Sequence, residues 1–557
     1  MVKDMGRQTR TTALENGGKG TGKTWHHARR TPQLSEIFFL NQINWNMMIR
    51  FSSVILFLAV TLSTARAQMP VTELPEFDIT AATLKGQLHY FASDFMRGRD
   101  TGSPEMNIAA EYLAAHLKAY GYEYAPGLDS YFQPVNFKQT APPQEASLTI
   151  NKKDYVHKED FLLLSGKANR FKNAQAVFAG HGWVDTESGH DDYADLDVEG
   201  KIVFVQGGPP DANSPQAIFE AMSRKQQLAS ERGAVALIEI YNVPNLPWNF
   251  FLRYFGRESL GLDMGDDMGG DGSLAYGWMQ PDTESSVMKD MQDGKRTKAS
   301  LMTSGFSETP LPSQNVIGVL PGTDPELKDE YVMLTAHYDH VGVGAAGSNA
   351  TMPNDSIFNG ARDNGMGSIA LLNAAKALGE MPTKRTIVVM WVTGEEKGLL
   401  GSRYYAERPL IPLEKTIFNL NTDGAGYNST EHVSIFGFGR TGTDEKVVAA
   451  LTAAGLKVFP DPAPEQNLFD RSDNVSFAIK GVPAMTFSPG LISFDERINK
   501  YYHQVTDNPD SIDYDYMLKY VQSYAFLARL IANDAERPTW VDGDKYYDAG
   551  QELYNKK

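Results

Sequence analysis

The chain has 557 residues, 42% of them hydrophobic and 22% charged, and a formal net charge of −17. That length exceeds one hydrophobic core and calls for two or three domains, and the acidity argues against nucleic acid as a partner. With no cysteine in the sequence, a disulfide framework, a lipid-bearing cysteine and a thiolate metal site are excluded together.

Residues 1–46 are basic, polar and without periodicity. They contain Gly17-Gly-Lys-Gly-Thr-Gly22-Lys23-Thr24, a literal match to the phosphate-binding loop pattern. That loop works only between a strand and a helix. Arg7-Gln-Thr-Arg-Thr-Thr and Trp25-His-His-Ala-Arg-Arg30 can dock on neither side of a sheet, so the match is read as accidental.

Met48-Ile-Arg50, the apolar run Val54 to Leu62 and Ala65-Arg-Ala67 have the three-part form of a secretory signal cleaved after Ala67, before Gln68. The apolar run is too short to span a bilayer as a helix. The expectation is a periplasmic or secreted protein with no stable membrane anchor after cleavage. Initiation at Met47 or Met48 would make the first 46 residues an over-long gene start. Residues 1–67 hold nine Lys/Arg and three Asp/Glu, so removing those six surplus positive charges takes the net charge from −17 to −23.

After a polar linker, Thr80 to Asp100 reads as a helix and turn ending Phe95-Met-Arg-Gly-Arg-Asp. Pro104 to Tyr120 is a second amphipathic helix, closed by Gly121. Its His116 is read as a packed or solvent-edge residue.

From about Asn151 to Glu308 the pattern changes to short strands bounded by glycine: Ala176 to Trp183, Gly200 to Val205 and Gly233 to Ile238, with a helix from Pro215 to Arg232. His181 and His190 lie here, apart from the residues assigned chemistry below, and are read as structural or surface groups. The Gly261–Gly270 tract lacks the spaced ligands of a calcium loop and is read as a mobile loop.

Pro312 to Leu320 begins a succession of hydrophobic strands, and from Tyr331 each ends in a residue able to hold a metal. Tyr331-Val-Met-Leu-Thr-Ala-His337-Tyr-Asp339-His340 places two histidines around an aspartate. Asn359 to Gly365 contains Asp363 and opens a helix with Leu371, Ala374, Ala375 and Leu378 on one face. Arg385 to Gly394 is a buried run that delivers Glu395-Glu396, and Thr416 to Thr422 delivers Asp423. Strand Glu431 to Phe436, helix Asp444 to Gly455, loop Phe469-Asp-Arg471-Ser-Asp473 and strand Val482 to Phe487 follow. Tyr502-His503 completes the set, helix Tyr514 to Ala532 closes the domain, and Glu536 to Lys557 reads as a polar tail. There are no internal repeats.

Open α/β sheets place their sites at the C-terminal ends of strands. Imidazole and carboxylate without thiol suit zinc and tolerate manganese or cobalt. Two histidines and three carboxylates are too many for one tetrahedral zinc with an open position. They suit two metals bridged by one carboxylate, roughly 3.5–4 Å apart. Neighbouring Glu395 and Glu396 point in different directions on a loop, so one can bind metal while the other serves as general base.

Ala336-His-Tyr-Asp339, Ala361-Arg-Asp-Asn364, Gly394-Glu-Glu-Lys-Gly-Leu-Leu-Gly-Ser402, Asn421-Thr-Asp423 and Tyr502-His503 together resemble the M28 family of metallopeptidases, the di-zinc aminopeptidases, in the form carrying a protease-associated insert. The resemblance implies an α/β zinc-exopeptidase fold of three layers around a mixed sheet, interrupted by a β-rich insert. It divides the chain into the extension and signal (1–67), the first part of the catalytic domain (68–150), the insert (151–308), the M28 domain proper (309–535) and the tail (536–557). It further implies two Zn²⁺ ions per chain, one held by His337 and Asp423, the other by Glu396 and His503, with Asp363 bridging. Glu395 would be the general base, Asp339 the group orienting His337, and Tyr502 a donor to the oxyanion. Arg471 lies in a loop that borders the family's substrate cleft and is the substrate-binding candidate.

The expected activity is removal of N-terminal residues from peptides. Charge supports that direction: an ammonium end suits Asp339, Asp363, Glu395, Glu396, Asp423 and Asp473, whereas a carboxylate end suits an arginine fork, and Arg362, Lys397 and Arg471 are isolated in sequence. The rivals on this fold are a glutamate-type carboxypeptidase and a glutaminyl cyclase, the latter with one zinc and no insert. A receptor-like binding protein without chemistry is opposed by the complete ligand set and Glu395.

Overall fold

Tyr331–His337, Thr386–Val392, Thr416–Thr422 and Ala484–Pro489 are almost wholly buried along their lengths. Burial along the whole length is what strands covered on both faces show. In the computed structural model, which describes residues 73–263, 274–282, 286–344 and 355–555, these four runs are the centre of the larger sheet. The described residues all fall in one unit, Pro70–Lys557. The signal-like segment, the phosphate-loop match and residues 264–270 of the glycine-aspartate tract lie outside them.

Nine strands of the described residues form this sheet: β1 Phe132–Ala141, β2 Ser259–Leu262, β3 Ser307–Leu320, β4 Tyr331–His337, β5 Thr386–Val392, β6 Thr416–Thr422, β7 His432–Phe436, β8 Lys457–Phe459 and β9 Ala484–Pro489. Their spatial order is β2-β1-β3-β5-β4-β6-β9-β7-β8. The central four run parallel, and antiparallel pairs flank them. Parallel strands bring their C-terminal ends to one edge, so His337, Glu395-Glu396 and Asp423 arrive together although the chain separates them widely.

Both faces of the sheet are covered, which makes the domain three layers. Alternation along β5 sends Ile387, Val389 and Trp391 to one face, and Val388, Met390 and Val392 to the other. The first face meets helices α1 Ala81–Phe91, α2 Pro104–Ala119 and α3 Gly367–Glu380, with α5 Asp444–Ala453 and α6 Tyr514–Asn533. On the second, Tyr405 of α4 Leu400–Glu407 and Phe477 pack against Met390 and its neighbours.

Helix α3 differs from the expected one-sided stripe. It buries Leu371, Ala374, Ala375 and Leu378, but also Ile369, Ala370, Leu372, Asn373 and Ala377. The cause is its position between the sheet and α6, which leaves almost no solvent face. It also begins later than expected, because Asp363 and Asn364 have non-helical backbone angles.

An eight-stranded sheet is built from Ala146–Ile150 through Thr297–Thr303. Its two faces carry separate apolar clusters. The segment therefore starts a few residues before 151, and Ser259–Leu262 leaves it to pair with β1 of the larger sheet. Between layers, the buried Lys225–Glu239 ion pair is fully engaged: Lys225 Nζ also donates to Gln206 O at 2.7 Å, and Glu239 Oε1 accepts from the Tyr276 hydroxyl at 2.7 Å.

The last residues correct the reading of a polar tail. Helix α7 Tyr547–Asn555 forms there, and Trp540 is only 3% exposed. The Trp540 indole packs on Phe469 and Tyr546 and donates to Gly481 O at 3.0 Å. A few aromatic anchors in a polar segment suffice to dock it, and average composition conceals them.

Candidate metal centre and active-site cleft

His337 is the last residue of β4 and is 1% exposed. Its Nδ1 faces the main-chain oxygen of Asp339 at 3.2 Å, which leaves Nε2 toward the cleft, 3.1 Å from Asp423 Oδ1 and 3.3 Å from Asp363 Oδ1. The other Asp363 oxygen, Oδ2, lies 3.1 Å from His503 Nε2. His503 Nε2 is in turn 3.2 Å from Glu396 Oε2. One carboxylate thus belongs to two clusters of donors.

Each member is held by its own surroundings. Asp363 sits on the turn before α3, where the Asp507 carboxylate accepts the backbone N–H groups of Arg362 and Asp363. The Asn364 side chain donates to Thr422 O at 2.9 Å, tying that turn to β6. Asp423 follows β6 directly and accepts the Ser472 hydroxyl. Glu395 and Glu396 follow β5 across Gly394, whose φ of +69° lets the chain turn sharply. His503 itself has φ +53° and is 34% exposed on its side chain, at the rim.

Asp339 has a different position from the expected one. Its carboxylate is 3.8 Å from His337 Nδ1, beyond hydrogen-bond length, and the imidazole meets its backbone oxygen instead. The carboxylate accepts the backbone amides of Glu395 at 3.2 Å and Glu396 at 3.3 Å, and the Thr101 hydroxyl at 2.8 Å. It fixes the loop bearing the two glutamates.

These contacts shape the electrostatics. Burial opposes charge at Asp363, yet hydrogen bonds to His337 and His503 hold its carboxyl well below the usual range. Burial likewise opposes protonation of His503, but Asp363 and Glu396 lift it to about 10. At Glu396, burial and the Asp363 charge push upward, and His340 with His503 overcome them, bringing it to about 2. Glu395 behaves oppositely. Burial, opposed by His337 but reinforced by Asp423, Glu396 and Asp473, raises its carboxyl well above the ordinary value. Neighbouring glutamates driven apart in this way are suited to different tasks.

The cleft around them is lined by the five acids and imidazoles of the two clusters, by Glu395, and by Tyr502 and Arg471. Phe436, Leu468, Leu491 and Phe494 give it an apolar wall. The Tyr502 ring stacks on His503 with centroids 4.1 Å apart. Of the three basic residues near the site in sequence, Arg362 is committed to Asp507 and Ser511, and Lys397 to Asp100. Only Arg471 of the three lines the cleft.

The donor set fits zinc: imidazole nitrogens and carboxylate oxygens converge, and His337, Asp363 and Asp423 offer atoms all within 4.8 Å of one another. A second such group is His340, Asp363 and Glu396. His340 was noted in the sequence without a role. Its signal was its place in His337-Tyr-Asp339-His340, one strand end bearing both rings. Asp507 and Thr101 carried no local signal, because each reaches the site from a distant loop.

Residues 315–527 match the profile of peptidase family M28. This stretch is an M28 peptidase domain. The chain is 30% identical over 154 residues to the vacuolar membrane protease of Saccharomyces cerevisiae, covering 26% of this chain and 14% of that one. It is 27% identical over 274 residues to leucine aminopeptidase 2 of Trichophyton equinum, covering 47% of this chain and 43% of that relative. The match thus spans less than half the length of either. Among solved structures, an aminopeptidase from Aneurinibacillus sp. strain AM-1 aligns over 84% of this chain and 97% of its own, with 20% identity and a TM-score of 0.51, a likeness of fold. The M28 domain contains every metal-ligand candidate, from His337 to His503.

Proposed function

We propose that this protein is a zinc-dependent exopeptidase that removes N-terminal residues from peptides. The observation that carries the reading is Asp363, whose two oxygens face His337 and His503 at 3.3 and 3.1 Å, each imidazole also facing a further carboxylate. His337 and Asp423 would hold one ion, Glu396 and His503 the second, and Asp363 both. Bound there, zinc supplies a Lewis acid for the scissile carbonyl and acidifies the attacking water.

The chain's own residues account for the remaining chemistry. Glu395 accepts the proton of the attacking water and returns it to the leaving amine. Cationic charge near Glu395 favours its ionised form against burial. Tyr502 donates to the developing oxyanion. Asp339 holds the main chain of Glu395 and Glu396, so the base and the ligand keep their separate directions.

Direction follows from charge. The carboxylates of the cleft suit an ammonium end, and two of the three nearby basic groups are engaged elsewhere. Arg471 at the cleft favours one second reading, a carboxypeptidase. A leucyl anilide offered beside its N-acetylated form, and a peptide with a free or amidated C-terminus, decide between them. Aminopeptidase action requires loss on acetylation and indifference to amidation; the opposite pattern assigns a carboxypeptidase.

The eight-stranded sheet is read as the protease-associated insert. Export to the periplasm or exterior rests on the signal-like segment ending at Ala67; among the described residues, no helix is long and apolar enough to cross a membrane.

A further inference from the structure

Glu396 divides its two oxygens. Oε2 lies 3.2 Å from His503 Nε2, on the side of Asp363, whereas Oε1 lies 2.7 Å from Nδ1 of His340. We infer that His340 is a positioning residue that clamps Glu396 so that one oxygen faces the ion shared with Asp363 and His503. The inference rests on the metal-centre reading above.

Three features show a ring held for this purpose. His340 is fully buried, and its Nε2 has no hydrogen-bond partner among the described residues, so its side-chain polar contact is with Glu396. The ring lies against Gly360, where a Cβ would stand 2.5 Å from its Cγ and Cδ2, so any other residue there would displace the imidazole. The backbone is fastened as well. His340 N donates to Arg99 O at 3.1 Å, and the buried Arg99 guanidinium donates to the oxygens of Tyr338, Asn359 and Gly360. Arg99 therefore joins the strand end bearing His340 to the loop that limits its ring.

A carboxylate whose outer oxygen is fixed is pre-oriented as a ligand, and partners of this kind contribute to metal affinity without touching the ion. The amide nitrogen of an asparagine can stand where Nδ1 stands, whereas that of a glutamine reaches the place of Nε2. The test is a Zn²⁺ titration of chelator-stripped wild type, His340→Leu, His340→Asn and His340→Gln against a competing indicator, with the thermal transition of each stripped protein as the fold control. The expected result is two ions on the wild type. The second should bind about 10–100-fold more weakly in the Leu and Gln variants, with the Asn variant near wild type. Two ions with unchanged affinity in His340→Leu would overturn the inference alone. Equal affinities in the Asn and Gln variants, high or low, would also overturn it, and this pair decides the matter if the Leu variant does not fold. A wild type that takes up fewer than two ions overturns the metal-centre reading and this inference together.

Discussion

His337 and His503 reach the two oxygens of a single carboxylate, Asp363, from the end of a central strand and from a loop far along the chain. Neither histidine could be placed beside the other from sequence spacing. The parallel sheet fixes one of them and the stack of Tyr502 on His503 supports the other. The Asp507 carboxylate fixes the shared group between them by its hold on the Asp363 amide. Such a site is assembled by the fold, so disturbance of these supports should show first in metal retention.

Docking of the C-terminal segment is a first point of test. Trp540 is buried among Phe469, Tyr546 and the Gly481 carbonyl. Trp540→Ala should lower stability by about 3–5 kcal/mol, read as a fall in the denaturant midpoint. Deletion of residues 536–557 should be at least as damaging. An unchanged midpoint in both would restore the polar-tail reading.

Glu330 gives a pH dependence. It receives Arg385 Nε at 2.7 Å and Arg537 Nη2 at 2.7 Å. Burial pushes its carboxyl upward, but these two guanidinium groups hold it below its ordinary value of 4.5. A depressed carboxyl adds stability above the unfolded value and loses it as the pH falls through the folded one. The Tm gap between wild type and Glu330→Gln should therefore be present at neutral pH and close as the pH drops below 4.5. A gap that widened on acidification would show the opposite sign and refute the clamp.

Processing is testable by mass. Protein recovered from outside the cytoplasm should begin at Gln68, after Ala65-Arg-Ala67, and deletion of residues 2–46 should leave export intact. Peptides from residues 10–40 in the exported protein would rule out both the cleavage and the over-long start.

The strand cores and the chemical groups that follow them were legible because a parallel sheet leaves a simple record: a run of seven buried residues such as Thr386–Val392, then a candidate ligand. Helix α6, expected over Tyr514 to Ala532, spans Tyr514–Asn533. What sequence concealed was tertiary. The all-round burial of α3 depends on α6 lying over it, and the β2 strand depends on pairing with β1 across a long separation. Asp339 was expected to orient His337, whereas its carboxylate accepts two backbone amides and the Thr101 hydroxyl, contacts that no side-chain pattern encodes. His340 stood in plain view directly after His337-Tyr-Asp339, and its contact became visible only once Glu396 was placed.

The central claim is that two adjacent glutamates do different work, Glu395 moving the proton and Glu396 holding metal. Zinc content and turnover measured together on Glu395→Gln and Glu396→Gln test it most directly. Glu395→Gln should retain both ions and a near-native thermal transition while losing about 10²–10⁴-fold or more in kcat. Glu396→Gln should lose metal together with activity. Zinc lost from Glu395→Gln and kept by Glu396→Gln would contradict the assignment and reverse the roles of the pair.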